Sequence, residues 1–154
     1  MSFMMPKGTR GLRRSAVTKT VIKWVNGLTA GRIARTGKAF GTMPALVLVT
    51  VGRKSGKERR SPLAYFQESP GKWLIVAAYA GAVENPAWYY NLAANPDRVS
   101  IELDGNTHHV AVEELHGQER ELAWEQITRA NSRFAGYQVK TDRELPIIRL
   151  AKDR

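Results

Sequence analysis

From residue 45 onward, apolar and polar side chains alternate at a spacing of two, which is typical of β-strands and not of helices. The alternation predicts strands over residues 45–51, 61–67, 73–79, 98–103, 107–115 and 146–150. Pro70-Gly71 and Asp104-Gly105 lie between neighbouring strands and are residue pairs that favour tight turns. The pattern therefore predicts a mainly antiparallel β domain.

Three segments have helical spacing instead. Residues 85–96 predict a short helix that Pro86 starts and Pro96 stops. Residues 117–134 predict a longer one, with Ala123, Ile127 and Phe134 on one face. Residues 15–34 predict an amphipathic helix, preceded by a glycine-containing basic segment. We therefore predict a flexible basic arm over residues 1–14, a basic helix and connector over 15–40, and one β-rich domain over 41–154.

Composition narrows the class of protein. The 154 residues include 43% hydrophobic side chains, enough for one compact core, and no cysteine, which excludes disulfides and thiolate metal sites. No apolar stretch reaches the roughly 18 residues that a membrane span requires. Neighbouring His108 and His109 lie on a predicted strand, where they point to opposite faces, so we predict no metal site. We expect a cytoplasmic protein.

The net charge of +10 is concentrated near the N-terminus. Residues 1–57 contain twelve Lys or Arg and no acid, whereas the rest of the chain contains twelve basic and fourteen acidic residues. The helix predicted over residues 15–34 either packs on the body or a twin subunit, or rests on anionic lipid. Nucleic-acid binding is a weaker alternative, because the aromatic residues that could stack bases lie in the near-neutral part of the chain.

A basic turn is predicted between the first two strands. It covers residues 52–62 and combines glycines with Arg53, Lys54, Arg59 and Arg60. Backbone N–H groups and guanidinium groups in such a turn can converge on one phosphate or carboxylate. The alternative is a solvated hairpin tip. The turn is thus a candidate anion-binding site.

Four segments resemble one known family in order and approximate spacing. They are the basic turn, the LIVAA strand at 74–78, the aromatic helix at 85–96 and the TDRELPII run at 141–148. Over residues 45–148 the chain resembles the deazaflavin (F420)-dependent nitroreductases. The resemblance implies a split β-barrel of about six antiparallel strands with peripheral helices. It also implies an oxidoreductase that uses reduced coenzyme F420 as hydride donor. This cofactor has a flat deazaflavin ring, a phosphodiester and an oligoglutamate tail.

The resemblance also implies which residues form the cofactor site. A phosphate or tail clamp would consist of Arg53, Lys54, Ser55, Gly56, Arg59, Arg60, Ser61 and Pro62. A slot for the planar ring would lie along 75–78, with Ala77, Ala78 and Tyr79 as contacts. The aromatic helix would add Ala87, Trp88, Tyr89 and Asn91. Without the resemblance, the slot is an ordinary buried strand and Trp88 an ordinary core residue.

Ala64, Asn131, Phe134 and Tyr137 fall where the family lines its acceptor pocket, and Tyr137 is the candidate hydrogen-bond or proton donor. The best-known nitroreductase carries tyrosine in place of Ala64, Asn131 and Phe134, so activation of one particular nitroaromatic drug is not expected to transfer. Relatives reduce quinones, enones or lactones, and nitroaromatics. An FMN-binding oxidoreductase on the same barrel is the main alternative. The expected partner is a small acceptor molecule. The chain is expected to be either a monomer or a homodimer.

Overall fold

The computed structural model describes residues 3–11, 38–39 and 43–153. The predicted amphipathic helix over 15–34 lies outside these residues. The strands are β1 Lys38–Ala39, β2 Met43–Val51, β3 Glu58–Ala64, β4 Phe66–Ser69, β5 Lys72–Val76, β6 Ser100–Leu103, β7 Asn106–Glu114 and β8 Ile147–Lys152. The helices are α1 Ala87–Ala94, α2 Gly117–Ala130 and α3 Arg133–Val139, and a 3₁₀ turn covers Tyr79–Gly81.

The strands of the described residues form one eight-stranded sheet with antiparallel pairing throughout. Its order is β1-β2-β6-β7-β8-β5-β4, and β3 pairs with β2 off this path. The predicted β6–β7 hairpin is confirmed: Asp104 and Gly105 have φ of +52° and +79°, which a tight hairpin turn requires. The antiparallel, mainly β class is therefore confirmed, with more strands than the six expected.

The strand predicted over residues 61–67 is wrong, because the chain changes partners at Tyr65. β3 pairs with β2, whereas β4 pairs with β5 on the far side of the sheet order. The strand predicted over 73–79 is also too long, since β5 ends at Val76 and the backbone then enters a left-handed turn. Periodicity locates apolar residues in a strand but carries no signal for where the strand changes neighbours.

Two hydrophobic clusters occupy opposite faces of β5. Trp73, Ile75 and Ala77 belong to the first cluster, which includes side chains of α1, and Leu74 and Val76 belong to the second. The second cluster also contains residues of α2 and α3. Because both faces of the strand are covered, α1 and the α2–α3 pair lie on opposite sides of the sheet. The ends of β2 and β5 are thereby held next to helices.

The single helix predicted over residues 117–134 is wrong. Asn131 adopts an extended conformation with φ of −151°, which ends α2. Its Oδ1 accepts a hydrogen bond from the Arg133 backbone N–H at 3.0 Å, and α3 begins there. An asparagine side chain competes well for backbone donors, so it favours such a break.

Among the described residues, no helix is long and apolar enough to cross a membrane.

Residues 3–11 run along the surface of the domain and form the N-terminal strap. The Met5 N–H donates to the Tyr89 hydroxyl at 3.0 Å, and the Gly8 N–H donates to the Val83 carbonyl at 2.9 Å. The strap ends on Asp142, whose carboxylate accepts from the Thr9 N–H at 2.7 Å and from the Thr9 hydroxyl. The flexibility predicted for residues 1–14, like the domain division, stays a prediction.

Acid is expected to release the end of the strap. The hydrogen bond from the Thr9 hydroxyl, followed by those from the Arg10 and Thr9 N–H groups, lowers the pKa of Asp142 to about 2. A lowered folded-state pKa stabilises the folded strap above the unfolded value near 4, and this contribution is lost as the pH falls toward 2. Hydrogen exchange at the Thr9 and Arg10 amides should therefore accelerate relative to core amides between pH 5 and 2. Asp142→Asn should show no such pH dependence, and an equal response in both proteins would contradict the assignment.

Candidate functional site

The predicted basic turn is a closed backbone loop between β2 and β3. The Gly52 N–H donates to the Lys57 carbonyl at 2.8 Å, and the Gly56 N–H donates to the Gly52 carbonyl at 2.8 Å. Gly56 has φ of +70° and no atom near the position of a Cβ, so glycine serves conformation there. At Gly52 a Cβ would lie 2.6 Å from the Ser55 Oγ, so glycine there provides space. The loop presents residues 53–57 to solvent.

Four of the five cations in and beside the turn lack a carboxylate partner among the described residues. Arg53 lies 4.6 Å from the centre of the Tyr90 ring, and Arg59 donates to the Ser55 Oγ at 3.2 Å. The side chains of Lys54 and Lys57 form no hydrogen bond or ion pair within the described ranges. Such a group of unneutralised cations attracts an anion, particularly at low ionic strength. The positive charge of the basic turn therefore favours binding of a polyanionic ligand.

Alternation along β3 divides the predicted clamp between two faces. Ser61 is paired in register with Leu48 of the first core cluster, so Ser61 and Arg59 lie on the face that α1 covers. Arg60 and Pro62 lie on the other face, where the Arg60 guanidinium forms an ion pair with Glu102. The two adjacent arginines therefore have different surroundings, one without a counter-ion and one with a carboxylate.

The turn contacts helix α1, and this contact joins the two longest motifs of the sequence. The Arg53 N–H donates to the Asn91 Oδ1 at 3.1 Å. Asn91 is only 8% exposed, whereas Ala87 at the start of the helix is exposed. Asn91 is thus fixed against the basic turn, and its amide Nδ2 has no partner in the described part of the chain. Tyr90, which sequence reasoning did not select, supplies the ring below Arg53.

The two aromatic residues of α1 that were predicted to touch the cofactor are buried. Trp88 is 6% exposed in the first core cluster, and Tyr89 is fully buried. The Tyr89 hydroxyl donates to the buried Glu114 carboxylate, and burial is the main reason that its pKa is raised well above the usual value. The side chain of Tyr89 is therefore engaged in the core.

Thr50 is a candidate site residue that the sequence analysis did not identify. It lies at the end of β2, paired in register with Arg59, and is 1% exposed. Its Oγ1 has no hydrogen-bond partner among the described residues. Buried hydroxyl groups rarely lack a partner, so a ligand at this position would complete its hydrogen bonding. The only sequence signal is a threonine two residues before Gly52, in an otherwise apolar strand.

The predicted ring slot leads into a strained turn. Ala77 and Ala78 are buried with their side chains in the two core clusters, and Tyr79 and Ala80 are half-buried. Tyr79 and Ala80 have φ of +46° and +54°. A left-handed conformation costs a non-glycine residue about 1 to 2 kcal/mol. Strain of this kind occurs frequently at ligand-binding sites.

Arg143 stabilises this turn through hydrogen bonds to its backbone. The sequence analysis did not identify this residue either. It is 1% exposed, and its guanidinium donates to the carbonyl oxygens of Ala77 at 2.9 Å, Ala78 at 2.9 Å and Ala82 at 3.0 Å. It also donates to the Asn85 Oδ1 at 2.6 Å. Burial lowers the pKa of Arg143. The TDRELPII motif contains this residue, but an arginine there reads as a surface charge when only the sequence is known.

The structure brings together two of the residues predicted to line the acceptor pocket. The rings of Phe134 and Tyr137 lie edge to face with centres 5.6 Å apart. Helix α3, which carries both, packs on the 3₁₀ turn, where the Gly81 Cα lies close to the Tyr137 carbonyl. The other two predicted pocket residues lie on other elements. Asn131 follows α2 and accepts a hydrogen bond from the Arg133 N–H, and Ala64 is the last residue of β3, paired with Ala45 of β2.

Comparison with known proteins places this architecture in a family. The family model of F420H(2)-dependent quinone reductases matches residues 24–152. The chain belongs to this quinone reductase family. A quinone reductase of Mycobacterium tuberculosis is 32% identical over 127 residues, covering 80% of this chain and 83% of that protein. A solved F420-H2-dependent reductase, FDR-A, is 38% identical with a TM-score of 0.62, covering 70% of this chain and 93% of its own.

Membership of the F420H(2)-dependent quinone reductase family confirms three expectations from the sequence. The fold is a split barrel, the protein is an F420-dependent oxidoreductase, and its hydride donor is reduced coenzyme F420. A second solved chain, described as a domain-swapped dimer, is 36% identical with a TM-score of 0.63 and covers 82% of this chain and 96% of its own.

The residues present in this family member fit such a cofactor. A phosphodiester with an acidic tail requires cations without counter-ions, and Lys54, Lys57 and Arg59 have none among the residues that the structure describes. A buried polar atom without a partner is expected where a ligand is missing, and the Thr50 Oγ1 is one. The two features are adjacent, because Thr50 and Arg59 are register partners.

Proposed function

We propose that this protein transfers a hydride from reduced coenzyme F420 to a quinone. The observation that carries the proposal is the contact between the basic turn and α1, where the Arg53 N–H meets the Asn91 Oδ1. This contact holds the cations of the basic turn, which lack a carboxylate partner in the described part of the chain except for Arg60, beside the buried Asn91 amide. The buried Thr50 hydroxyl lies next to Arg59 through the register of β2 and β3. The quinone is the acceptor named for the family and for the relative from Mycobacterium tuberculosis.

Within this proposal, Lys54 and Arg59 bind the phosphate and the acidic tail, and Arg53 is held by Tyr90 at the edge of the same site. Asn91 and Thr50 provide an amide donor and a hydroxyl for the polar groups nearer the ring. Ser55 orients Arg59 through its hydroxyl, which lies 3.2 Å from the Nη2. Arg60 and Pro62 lie on the other face of β3 and support the strand.

The bound cofactor supplies the hydride, so the protein needs no catalytic dyad. Its residues orient the ring beside the acceptor and keep water away. The left-handed turn at Tyr79 and Ala80 and the aromatic pair on α3 line the region between the two reactants in this proposal. The Tyr137 phenol has no hydrogen-bond partner among the described residues and is available to donate to the acceptor oxygen as negative charge develops there.

Removing the unpaired cations should weaken cofactor binding. Arg59→Ala should lower the affinity for F420 about 10-fold. Lys54→Ala should lower it about 3- to 5-fold, because Lys54 is exposed and more strongly screened by solvent than half-buried Arg59. Isothermal titration at two salt concentrations measures both effects, and the loss should be larger at low salt. FMN titrated in parallel tests the alternative flavin cofactor, which has no oligoglutamate tail.

Arg60→Ala is the matched control for this prediction. It removes an arginine next to Arg59 in sequence, but one that is paired with Glu102 on the opposite face of β3. Its effect on cofactor affinity should be less than about 3-fold. Equal losses for Arg59→Ala and Arg60→Ala would show that the turn attracts the ligand only through net charge.

Tyr137→Phe should slow acceptor reduction without changing cofactor binding. Loss of one hydrogen bond to the acceptor oxygen should lower kcat/KM for menadione about 5- to 10-fold, while the affinity for F420 stays within about 2-fold of wild type. The measurement is steady-state reduction of menadione, a cyclic enone and a nitroaromatic by the reduced cofactor. Menadione should be the best acceptor, and an equal loss of cofactor affinity would place Tyr137 in the cofactor site instead.

Partners and location remain proposals. The dimer described for the solved chain at 36% identity favours a homodimer here over a monomer, and light scattering on the purified protein decides between them. Membrane contact through the basic helix and a cytoplasmic location stay predictions. Sedimentation with anionic vesicles tests the membrane contact, since a basic amphipathic helix would bind them in a salt-dependent way.

A further inference from the structure

We propose that Arg143 is a positioning residue for the cofactor ring: it shapes the turn over Ala77, Ala78 and Tyr79 that the ring must lie against. The inference rests on the proposed function, and it assigns a role to the 141–148 segment, which neither the clamp nor the acceptor pocket uses. Arg143 acts through the backbone of the turn and needs no contact with the ring.

The first support is the set of partners around the guanidinium. Arg143 is 1% exposed, and the four hydrogen bonds of its guanidinium go to neutral oxygens, three of them backbone carbonyls. It has no carboxylate partner among the described residues. A buried cation is costly unless its donors are satisfied, and here three of the five guanidinium N–H groups donate to backbone carbonyls of one loop and a fourth donates to Asn85. The charge therefore organises the loop and does not form an ion pair.

The second support is the position of the acceptors. The carbonyls of Ala78 and Ala82 flank the stretch with left-handed φ, and Arg143 binds both at once. Because each peptide unit is planar, fixing a carbonyl also fixes the direction of the following N–H. The rigid guanidinium fork can hold several peptide units together, whereas a lysine ammonium acts as a single point. Arg143 thus determines which surface of the turn faces a ligand.

The third support is a link to the other cofactor element. The Asn85 Oδ1 accepts from Arg143 at 2.6 Å, and its Nδ2 donates to the Pro6 carbonyl of the N-terminal strap at 2.7 Å. Asn85 lies two residues before α1, the helix that carries Asn91. One guanidinium therefore fixes the turn relative to the start of α1. It thereby sets the spacing between the element that would lie against the ring and the helix whose Asn91 would bind the polar groups next to the ring.

Arg143→Lys tests the proposal, with two ligands: whole F420 and its ring–ribityl fragment, which lacks phosphate and tail. We expect affinity for the fragment to fall about 10-fold or more, and affinity for whole F420 to fall by a similar factor. Lys54→Ala should weaken only whole F420. At saturating F420, time-resolved fluorescence anisotropy should show additional fast motion of the bound ring in Arg143→Lys, which a general loss of stability would not produce.

A folded Arg143→Lys that binds the fragment like wild type and holds the ring rigidly overturns the proposal. If that variant does not fold, a pair at Asn85 replaces it. Asn85→Asp gives Arg143 an acceptor of equal size and should keep fragment affinity within about 3-fold, whereas Asn85→Ala removes the acceptor and should weaken binding further. Equal affinities in this pair also overturn it. Failure of wild type to bind whole F420 refutes the proposed function itself, which distinguishes the two failures.

Discussion

Gly81→Ala is expected to lower the free energy of unfolding by about 3 kcal/mol or more, through steric overlap added to an unfavourable backbone conformation. Gly81 has φ of +76°, and a Cβ built there lies 2.6 Å from the Tyr137 carbonyl oxygen and 2.9 Å from the Lys140 Cβ. Neither atom is the end of a flexible side chain that could move aside. Relief of the overlap requires α3 to move away from the 3₁₀ turn.

Gly105→Ala is the matched control. Gly105 has φ of +79°, almost the same conformation, but no atom lies within 4 Å of the added Cβ. This variant should lose only the conformational part, about 1 kcal/mol. Urea unfolding of the two variants measures the difference directly, provided that their m-values agree. Equal losses would mean that α3 shifts without cost and that the turn is not tightly packed against it.

Movement of α3 away from the 3₁₀ turn should lower activity by more than the loss of stability alone explains. The Tyr137 phenol and the left-handed turn belong to elements that meet at Gly81, so any separation moves the donor away from the acceptor. Activity of folded Gly81→Ala with menadione should therefore fall further than that of folded Gly105→Ala. Gly81 is therefore the contact point between the 3₁₀ turn and α3.

The sequence predicted the parts of this fold that depend on local chemistry. The Asp104-Gly105 turn, the start of α1 after Pro86 and the grouping of cations between β2 and β3 follow from residue types at fixed spacings. Features that depend on distant partners were not predictable. The change of strand partner at Tyr65 is one, because the pairing of β4 with β5 is invisible to periodicity.

The same division applies to the site. Arg59 and Arg60 look equivalent in the sequence. Only the registers of β2 with β3 and with β6 separate Arg60, which is paired with Glu102, from Arg59, which has no carboxylate partner among the described residues. Thr50 and Arg143 were missed for a related reason. An unpaired buried hydroxyl and a guanidinium surrounded by carbonyls are properties of the surroundings, to which residues far apart in sequence contribute.

Loss of the Trp88 side chain is expected to have the second large effect on stability. Trp88 can be interpreted as a core residue or as a cofactor contact, and the two interpretations predict different results. The side chain is 6% exposed within the first core cluster, in a helix of only eight residues that packs on β2. Trp88→Ala should therefore lower the free energy of unfolding by about 3 to 5 kcal/mol. Trp124→Ala is the control, since half-buried Trp124 lies over Arg120 away from the basic turn, and its loss should be about 1 to 2 kcal/mol.

Trp88→Phe separates packing from cofactor recognition. Phenylalanine keeps most of the buried ring volume, so the loss of stability should be below about 1.5 kcal/mol. If Trp88 serves mainly to seat α1, Asn91 stays against the Arg53 N–H and the affinity for F420 remains within about 3-fold of wild type. If Trp88 contacts the cofactor directly, Trp88→Phe binds F420 at least about 10-fold more weakly despite near-native stability. Because the side chain is almost fully buried in the absence of a ligand, we expect the first result.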